Sequence, residues 1–259
     1  MNKAIEKITS KKNKSKLVCL TAYSENIASI LDKHCDIVLV GDSLGSVLYS
    51  YKSTKEVTLD TMIKHSKSVR LGVKNSLMVV DMPYNTYRNP REALKNVKLV
   101  MKKTKCDGVK LEGGKKIIPI VKNLIKHRIP VMGHVGILPQ TDKKFSFKGK
   151  KQKEIKRILN DTKLLENAGV FSVVLECVET KLSKQITKNI KIPTIGIGSS
   201  SNCDGQVLVI DDLIGMSDSK FKFVKKYVDV SKIINSAVKK YKNEVKNKKF
   251  PKAKHSFAN

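Results

Sequence analysis

The feature that most constrains the fold is an unbroken apolar run that leads into a carboxylate. Ile37 to Val40 contains no polar residue, which is typical of a strand buried on both faces of a parallel sheet. Gly41 ends the run, and Asp42 and Ser43 follow where the chain should leave the sheet. Folds of the α/β class place their chemistry at this end of their strands, although a single Asp after a strand is often only a helix N-cap. Apolar runs that end in a charged residue recur several times later in the chain, which favours a functional role for these charged residues over a capping role.

Short apolar runs alternate with amphipathic stretches along the whole chain. The predicted strands are 17–22, 37–41, 76–80, 109–111, 130–134, 170–176, 193–198 and 206–210. The predicted helices are 25–32, 58–71, 90–105, 115–127, 152–167, 179–189 and 231–248, with a long loop over 44–55. Eight strands alternating with helices predict one (β/α)8 TIM barrel domain over residues 1–259, because that fold typically needs about 250 residues. An open doubly wound sheet is the alternative, but no Gly-x-Gly-x-x-Gly follows the first strand.

The two ends of the chain and its cysteines indicate a cytoplasmic protein. The Lys-rich segment 1–16 lacks the apolar stretch of a signal peptide, and no apolar run approaches the roughly 20 residues of a membrane span. The five cysteines form no Cys-x-x-Cys pair, so neither a zinc site nor a disulfide framework is indicated. The basic tail, about 249–259, is predicted to be flexible and disordered past Pro251.

A formal net charge of +29 would ordinarily suggest a nucleic acid partner. However, only five of the 52 basic residues are arginines, and proteins that read bases and phosphates favour the arginine fork. The lysines are spread over every predicted helix without interleaved aromatic residues. We therefore interpret the charge as a compositional bias on solvated faces and expect no specific nucleic acid partner.

In a barrel, the polar residues at the strand ends would gather at one mouth. These residues are Asp42, Asp81, Lys110, Glu112, His134 and Glu176. Four carboxylates at one mouth would repel each other unless a cation or a proton intervened. Oxygen ligands with no nearby cysteine suit Mg²⁺ better than zinc, and Mg²⁺ keeps several waters, so that two or three carboxylates suffice.

Each of these residues also has a structural interpretation. Asp42 and Asp81 could be helix N-caps, and Lys110 and Glu112 share a strand face and could simply pair. Glu176 is harder to explain in this way, since an acidic residue at the end of a buried strand is rarely without a role. His134 is more often a structural histidine than a base.

Six ordered motifs then resemble one family. They are Val-Gly-Asp42-Ser43-Leu-Gly, Asp81-Met-Pro-Tyr, Val-Lys110-Leu-Glu112-Gly-Gly, Gly-His134-Val-Gly-Ile-Leu-Pro-Gln, Val-Leu-Glu176-Cys-Val, and Ile-Gly-Ile-Gly-Ser-Ser-Ser-Asn-Cys-Asp-Gly-Gln-Val-Leu-Val. Together they cover roughly residues 17–230 and resemble the ketopantoate hydroxymethyltransferase family, the first committed enzymes of pantothenate biosynthesis.

The resemblance implies a TIM barrel that transfers a one-carbon unit from 5,10-methylenetetrahydrofolate to 3-methyl-2-oxobutanoate. It also implies a homo-oligomer, a decamer, with one Mg²⁺ per subunit. The implied Mg²⁺ site consists of Asp42, Asp81 and Glu112, the last two directly or through water. Ser43 and Lys110 are implied as keto-acid contacts, together with Asp42 and Asp81. Glu176 is implied as the catalytic acid/base, and His134 is the next candidate for that role.

The chain departs from the family pattern in the loop at 141–150. The family loop is rich in glycine and tyrosine, whereas this one reads Thr-Asp-Lys-Lys-Phe-Ser-Phe-Lys-Gly-Lys. The departure concerns folate affinity and loop closure more than the metal site. Two other functions stay open at this point: a Mg²⁺-dependent keto-acid barrel of the phosphoenolpyruvate mutase/isocitrate lyase type, and a basic nucleic-acid-binding protein. The chain has no Lys-Lys-Cys-Gly-His block, which those lyases carry.

Overall fold

The computed structural model describes residues 3–142 and 146–257, and within them eight parallel strands form a closed barrel. The strands are β1 Leu17–Thr21, β2 Ile37–Val40, β3 Leu77–Asp81, β4 Gly108–Glu112, β5 Val131–Gly136, β6 Ser172–Glu176, β7 Thr194–Ile197 and β8 Gly205–Leu208. Each strand pairs with the next in sequence, and the pairing of β1 with β8, in which Leu17 lies opposite Gly205, closes the barrel. The predicted fold class is confirmed.

Helices follow the strands, as the alternating pattern predicts. Within residues 1–209 they are α1 Lys3–Thr9, α2 Glu25–Leu31, α3 Leu44–Tyr49, α4 Leu59–Gly72, α5 Pro90–Thr104, α6 Ile118–Lys126, α7 Gln152–Ala168 and α8 Thr180–Asn189. Short 3-10 helices occur at Thr54–Glu56 and Lys115–Ile117. Local signals define several starts, for example the Asn89 side chain, which accepts a hydrogen bond from the Glu92 N–H and caps α5.

The chain divides into two compact units, residues 1–209 and residues 210–259. The first contains the barrel. The second contains α9 Ile210–Leu213, α10 Val230–Lys246 and a 3-10 helix at Ala253–His255. The prediction of one domain over 1–259 stays a prediction. The sequence predicts disorder past Pro251, whereas the structure has the short 3-10 helix Ala253–His255 there.

Two further predictions differ from the structure. The loop predicted over 44–55 contains α3, because Leu44 and Gly45 are buried and anchor a helical turn. Gly45 serves close packing there, since an added Cβ would lie 2.6 Å from the Val57 side chain. The Lys-rich start contains α1, whose Ile5 and Ile8 are three residues apart and both buried.

Helix α1 covers the end of the barrel at which the strands begin. Ile5 and Ile8 belong to one hydrophobic cluster with the first residues of three strands, Leu17, Ile37 and Leu77. The strands' opposite ends are therefore the ones left for polar side chains. No helix among the described residues is long and apolar enough to cross a membrane.

Candidate active site

Five consecutive strands, β2 to β6, carry charged side chains to the end of the barrel opposite α1. Pairing places Asp81 beside Lys110, Glu112 beside His134, and Gly136 beside Glu176 in the strand registers. The side chains from these strand ends that are at most 6% exposed are Asp42, Asp81, Lys110, Glu112 and His134. Ser43 and Glu176 are half-buried at the margin of this group. The structure thus brings together all seven residues singled out from the sequence.

An ion pair and a backbone hydrogen bond join the ends of β2, β3 and β4. Lys110 Nζ lies 2.8 Å from Asp81 Oδ1, and the Asp42 N–H donates to Asp81 Oδ2 at 3.1 Å. Burial lowers the pKa of Lys110, but Asp81, Glu112 and Asp42 outweigh burial and raise it above its usual range. Lys110 is therefore an ammonium group at neutral pH. It pairs with Asp81, so the simple Lys110–Glu112 pair considered from the sequence is wrong.

Asp42 is the carboxylate that this arrangement stabilises least. Burial, followed by the nearby Asp81 and Glu112 carboxylates, raises the pKa of Asp42 to about 8. Its role is also not that of a cap, because the N-cap of α3 is Ser43, which makes no capping hydrogen bond with its side chain. A proton or a cation near Asp42 would relieve the repulsion among these groups.

His134 lies between the two glutamates of the group. Its Nδ1 is 3.5 Å from Glu112 Oε1, and its Nε2 is 3.2 Å from Glu176 Oε2. Burial and Lys110 lower the pKa of His134, but the two carboxylates outweigh them and raise it to about 9. The pKa of Glu112 is lowered despite its burial, with His134 as the main cause. At neutral pH, His134 is therefore an imidazolium that links Glu112 to Glu176.

Three polar residues that the sequence analysis did not single out complete the group. Gln140, which is 1% exposed, donates from Nε2 to Asp42 Oδ2 at 2.8 Å and to the Met82 carbonyl at 3.0 Å. Its backbone N–H donates to Glu112 Oε2 at 3.1 Å, and its Oε1 accepts from the Tyr87 hydroxyl. The Tyr23 hydroxyl lies 2.8 Å from Ser43 Oγ. The only sequence signal for any of them is that Gln140 ends a family-like motif.

Asp42 and Asp81 are suited to hold a hard cation. Within residues 3–142 and 146–257, no three Asp, Glu, His or Cys side chains converge as the ligand shell of a metal ion. Mg²⁺ does not require such a shell, because it keeps several waters and commonly takes one or two protein carboxylates. Burial and the neighbouring carboxylates raise the pKa of Asp42, and a bound divalent cation would favour its ionised form and so lower that pKa again. The donor set therefore fits Mg²⁺.

A cavity of about 790 Å³ opens beside Glu112 and Gln140. Its apolar wall includes Ile117, Val135 and Leu138, and the Tyr84 and Tyr87 rings also line it. The volume lies within the range of about 300–1,000 Å³ that is usual for small-molecule sites. Part of the divergent loop at 141–150 borders the cavity, but residues 143–145 lie outside the described part of the chain.

Solved structures of other proteins share the barrel. A phosphonopyruvate hydrolase has a TM-score of 0.65 at 8% sequence identity, covering 99% of this chain and 92% of that chain. A 2,3-dimethylmalate lyase of the PEP mutase/isocitrate lyase superfamily has a TM-score of 0.57 at 11% identity, covering 79% of each chain. At these identities the likeness concerns the fold alone.

Comparison of sequences gives much closer relatives. The 3-methyl-2-oxobutanoate hydroxymethyltransferase of Pelagibacter ubique (strain HTCC1062) is 65% identical over 257 residues, covering 99% of this chain and 100% of the relative. The protein of the same name from Chelativorans sp. (strain BNC1) is 46% identical, covering 97% of this chain and 91% of the relative. The sequence profile of the family Ketopantoate hydroxymethyltransferase matches residues 2–253. This chain therefore belongs to the ketopantoate hydroxymethyltransferase family of enzymes.

Proposed function

We propose that this protein transfers a hydroxymethyl group from 5,10-methylenetetrahydrofolate to 3-methyl-2-oxobutanoate, giving 2-dehydropantoate and tetrahydrofolate. The relatives that are 65% and 46% identical carry the name of this activity. The observation that carries the proposal in this chain is the buried cluster of Asp42, Asp81 and Lys110. The two carboxylates can hold the Mg²⁺ that chelates the keto acid, and the ammonium group can neutralise negative charge on the keto acid. The fold shared with lyases and mutases does not by itself argue for their reactions, because the identities are only 8% and 11%.

Lys110 and Ser43 are the proposed contacts for the keto acid. Lys110 is positively charged and buried, so it can neutralise the substrate carboxylate or the negative charge that develops on the 2-oxo oxygen. Ser43 adds a hydroxyl whose partner, the Tyr23 hydroxyl 2.8 Å away, holds it in place. We assign Mg²⁺ to Asp42 and Asp81, with Glu112 as a direct or water-mediated supporting ligand. When bound there, it would act as a Lewis acid on the 2-oxo oxygen, a contribution worth several kcal/mol.

Glu176 is the proposed base that removes the proton from C3 of the keto acid. It is half-buried at the end of β6, which leaves its carboxylate accessible from the mouth. The His134 imidazolium forms an ion pair with that carboxylate at 3.2 Å and with Glu112 at 3.5 Å. The resulting carbanion forms a bond to the methylene carbon, and water supplies the hydroxyl oxygen of the new group. Both carbon–nitrogen bonds of the methylene carbon break, and the two folate nitrogens take up the C3 proton and one proton of the water.

The cavity beside Glu112 and Gln140 is the proposed site of the folate. Its volume of about 790 Å³ and its Tyr84 and Tyr87 rings suit a large, flat, partly aromatic co-substrate. The cavity and the charged cluster share Glu112 and Gln140, so a folate there would lie next to the keto acid.

The test is an incubation with 3-methyl-2-oxobutanoate, 5,10-methylenetetrahydrofolate and Mg²⁺, with 2-dehydropantoate as the expected product. In D₂O without folate, the wild type should exchange the C3 hydrogen of the keto acid, as followed by NMR. Glu176→Gln should bind the keto acid normally but exchange about 10²–10⁴-fold more slowly. Absence of product from the wild type would contradict the proposed function, and undiminished exchange in Glu176→Gln would make His134 the next candidate base.

We also propose that the protein is cytoplasmic and forms a homo-oligomer, a decamer. All five cysteines are free, which fits a reducing compartment. Within residues 210–259, α10 carries exposed apolar side chains that could pack against another copy: Ile233, Ile234, Val238, Tyr241 and Val245. Size exclusion with light scattering should give the mass of ten subunits, and a monomer at micromolar concentration would contradict this part.

A further inference from the structure

Gln140 makes contacts with three strand ends from a single loop position. Its side-chain amide reaches Asp42, which follows β2, and the Met82 carbonyl, which follows β3. Its backbone N–H reaches Glu112 at the end of β4. The loop that carries it is itself held, because the Thr141 and Asp142 N–H groups both donate to the Leu138 carbonyl. A residue with so many directed contacts can control where the neighbouring carboxylates point.

The orientation of the Gln140 amide follows from the groups around it. Asp42 Oδ2 and the Met82 carbonyl can only accept hydrogen bonds, so the amide nitrogen must face them. Gln140 Oε1 then faces Tyr87, whose hydroxyl donates to it at 2.5 Å and holds the amide in place. A flipped amide would place its oxygen against these two acceptors and lose both hydrogen bonds.

Gln140 donates hydrogen bonds to two carboxylates of the buried cluster, Asp42 and Glu112. Asp42 is buried among like charges, and its hydrogen bond from Gln140 is one of the few favourable contacts of its carboxylate. Glu112 is shared between His134 and the Gln140 backbone. An apolar side chain at position 140 would keep the backbone contact with Glu112 and remove the side-chain contacts with Asp42, the Met82 carbonyl and Tyr87.

We propose that Gln140 is a positioning residue that holds the Asp42 carboxylate in its ligand orientation, and that Tyr87 acts through Gln140 by holding its amide in place. This inference rests on the proposed function, because it concerns the carboxylates assigned there to Mg²⁺. Gln140 and Tyr87 also line the cavity assigned to the folate, and the hydrogen bond from Gln140 connects that cavity to Asp42.

The first experiment needs no metal. The wild type, Gln140→Met, Tyr87→Phe and the double variant are denatured with urea in the presence of EDTA. If Tyr87 acts through Gln140, the double variant should have a midpoint equal to or higher than that of Gln140→Met, because the hydroxyl has already lost its acceptor and its removal costs nothing further. A midpoint lowered by the full sum of the two single effects would overturn the role given to Tyr87.

The second experiment measures Mg²⁺ affinity by calorimetry without substrate. Gln140→Met should bind Mg²⁺ about 10–100-fold more weakly, as is typical when a residue that orients a ligand is removed. Tyr87→Phe, which also keeps the proposal testable if Gln140→Met does not fold, should weaken binding in the same direction by a smaller factor. The control is Tyr49→Phe, which loses a hydroxyl contact with His65 Nε2 at 2.9 Å and should bind like the wild type.

Two outcomes separate this inference from the proposed function. Unchanged Mg²⁺ affinity in Gln140→Met, together with a lowered urea midpoint, would make Gln140 merely structural and overturn the inference. A wild type that binds no Mg²⁺ would instead contradict the proposed metal site, and with it the ligand role given to Asp42 here.

Discussion

A buried aspartate at one end of the barrel has a lowered pKa, whereas one at the other end has a raised pKa. At the end where the strands begin, Asp204 accepts hydrogen bonds from Lys12 Nζ at 2.7 Å and from the Thr194 N–H at 2.9 Å. Burial opposes ionisation of Asp204, but these contacts outweigh it and lower its pKa. At the other end, burial and two neighbouring carboxylates raise the pKa of Asp42 to about 8.

The difference separates an end of the barrel that contributes to stability from an end that is suited to binding. A buried carboxylate with enough donors contributes to stability, whereas one surrounded by other carboxylates costs stability unless something binds there. Asp32, also at the end where strands begin, accepts from the backbone N–H groups of Asn75 and Ser76 and belongs to the first kind. Asp42 belongs to the second kind, as expected of a functional site. Four substitutions would break or sharpen this comparison.

The largest expected effect is on catalysis. Asp42→Asn and Asp81→Asn should each lower kcat/KM by on the order of 10³-fold, because each removes one of the two carboxylates assigned to Mg²⁺. Product formation at low Mg²⁺ measures this loss. Asp60→Asn, at an exposed position that pairs with Lys64, is the matched control and should keep full activity. Near-normal activity in both site variants would show that the metal is held elsewhere.

The next effect is on stability and concerns the opposite end. Lys12 and Asp204 form a pair whose side chains are 8% and 4% exposed, and removing one partner leaves a buried charge uncompensated. Lys12→Met should therefore lower the free energy of unfolding by about 3–5 kcal/mol while leaving kcat unchanged. Denaturant unfolding and steady-state kinetics measure the two quantities. An unaltered unfolding free energy would mean that the pair does not stabilise this end.

A smaller effect depends on pH. Backbone hydrogen bonds outweigh burial and lower the pKa of Asp32 from 3.8 to about 2. A carboxylate whose folded pKa is lowered stabilises the protein above its unfolded pKa, and this contribution is lost as the pH falls through the folded pKa. Asp32→Asn should therefore cost on the order of 2 kcal/mol above pH 4, and the difference from the wild type should shrink between about pH 4 and pH 2. A difference that stays constant down to pH 2 would contradict this account.

The smallest expected effect has the opposite sign. The folded pKa of Asp42 is raised, so its stabilising contribution is present below its unfolded pKa and is lost as the pH rises through about 8. Without metal at pH 7, Asp42→Asn should therefore unfold no more easily than the wild type, because the variant has no buried carboxyl group that folding must keep protonated. Urea unfolding in EDTA tests this. A clear loss of stability in this variant would remove the contrast between the two ends.

The barrel could be predicted because strands such as β2, β3 and β6 are buried along nearly their whole length and consist largely of continuous apolar runs. The same pattern located Asp42, Asp81 and Glu176, which come directly after such runs or end them. Helix α3 was missed because Gly45 looked like a loop residue, although it lies within the helix where there is no space for a Cβ. Helix α1 was missed because lysines obscured its two buried isoleucines.

The site was predicted as a set of charges but not as a network. The hydrogen bond from Gln140 to Asp42 joins residues 98 positions apart, and that from Tyr87 to Gln140 joins residues 53 apart. Glutamine and tyrosine side chains such as these follow no periodic pattern in the sequence, so the sequence does not predict their contacts. The sequence likewise left open whether Lys110 pairs with Glu112, because alternation puts both on one strand face but says nothing of Asp81 on the neighbouring strand.

Helix α1 has a consequence for how the chain folds as it is synthesised. Ile5 and Ile8 share their hydrophobic cluster with Ile195 and Val207, which leave the ribosome about 200 residues later than these isoleucines. The Lys12–Asp204 pair spans 192 positions and has the same dependence. The packing of the first helix can therefore be completed only when the last strands are present. A nascent chain stalled before β8 should remain an open sheet that chaperones recognise, and release of the final strand should seal the barrel in one cooperative step.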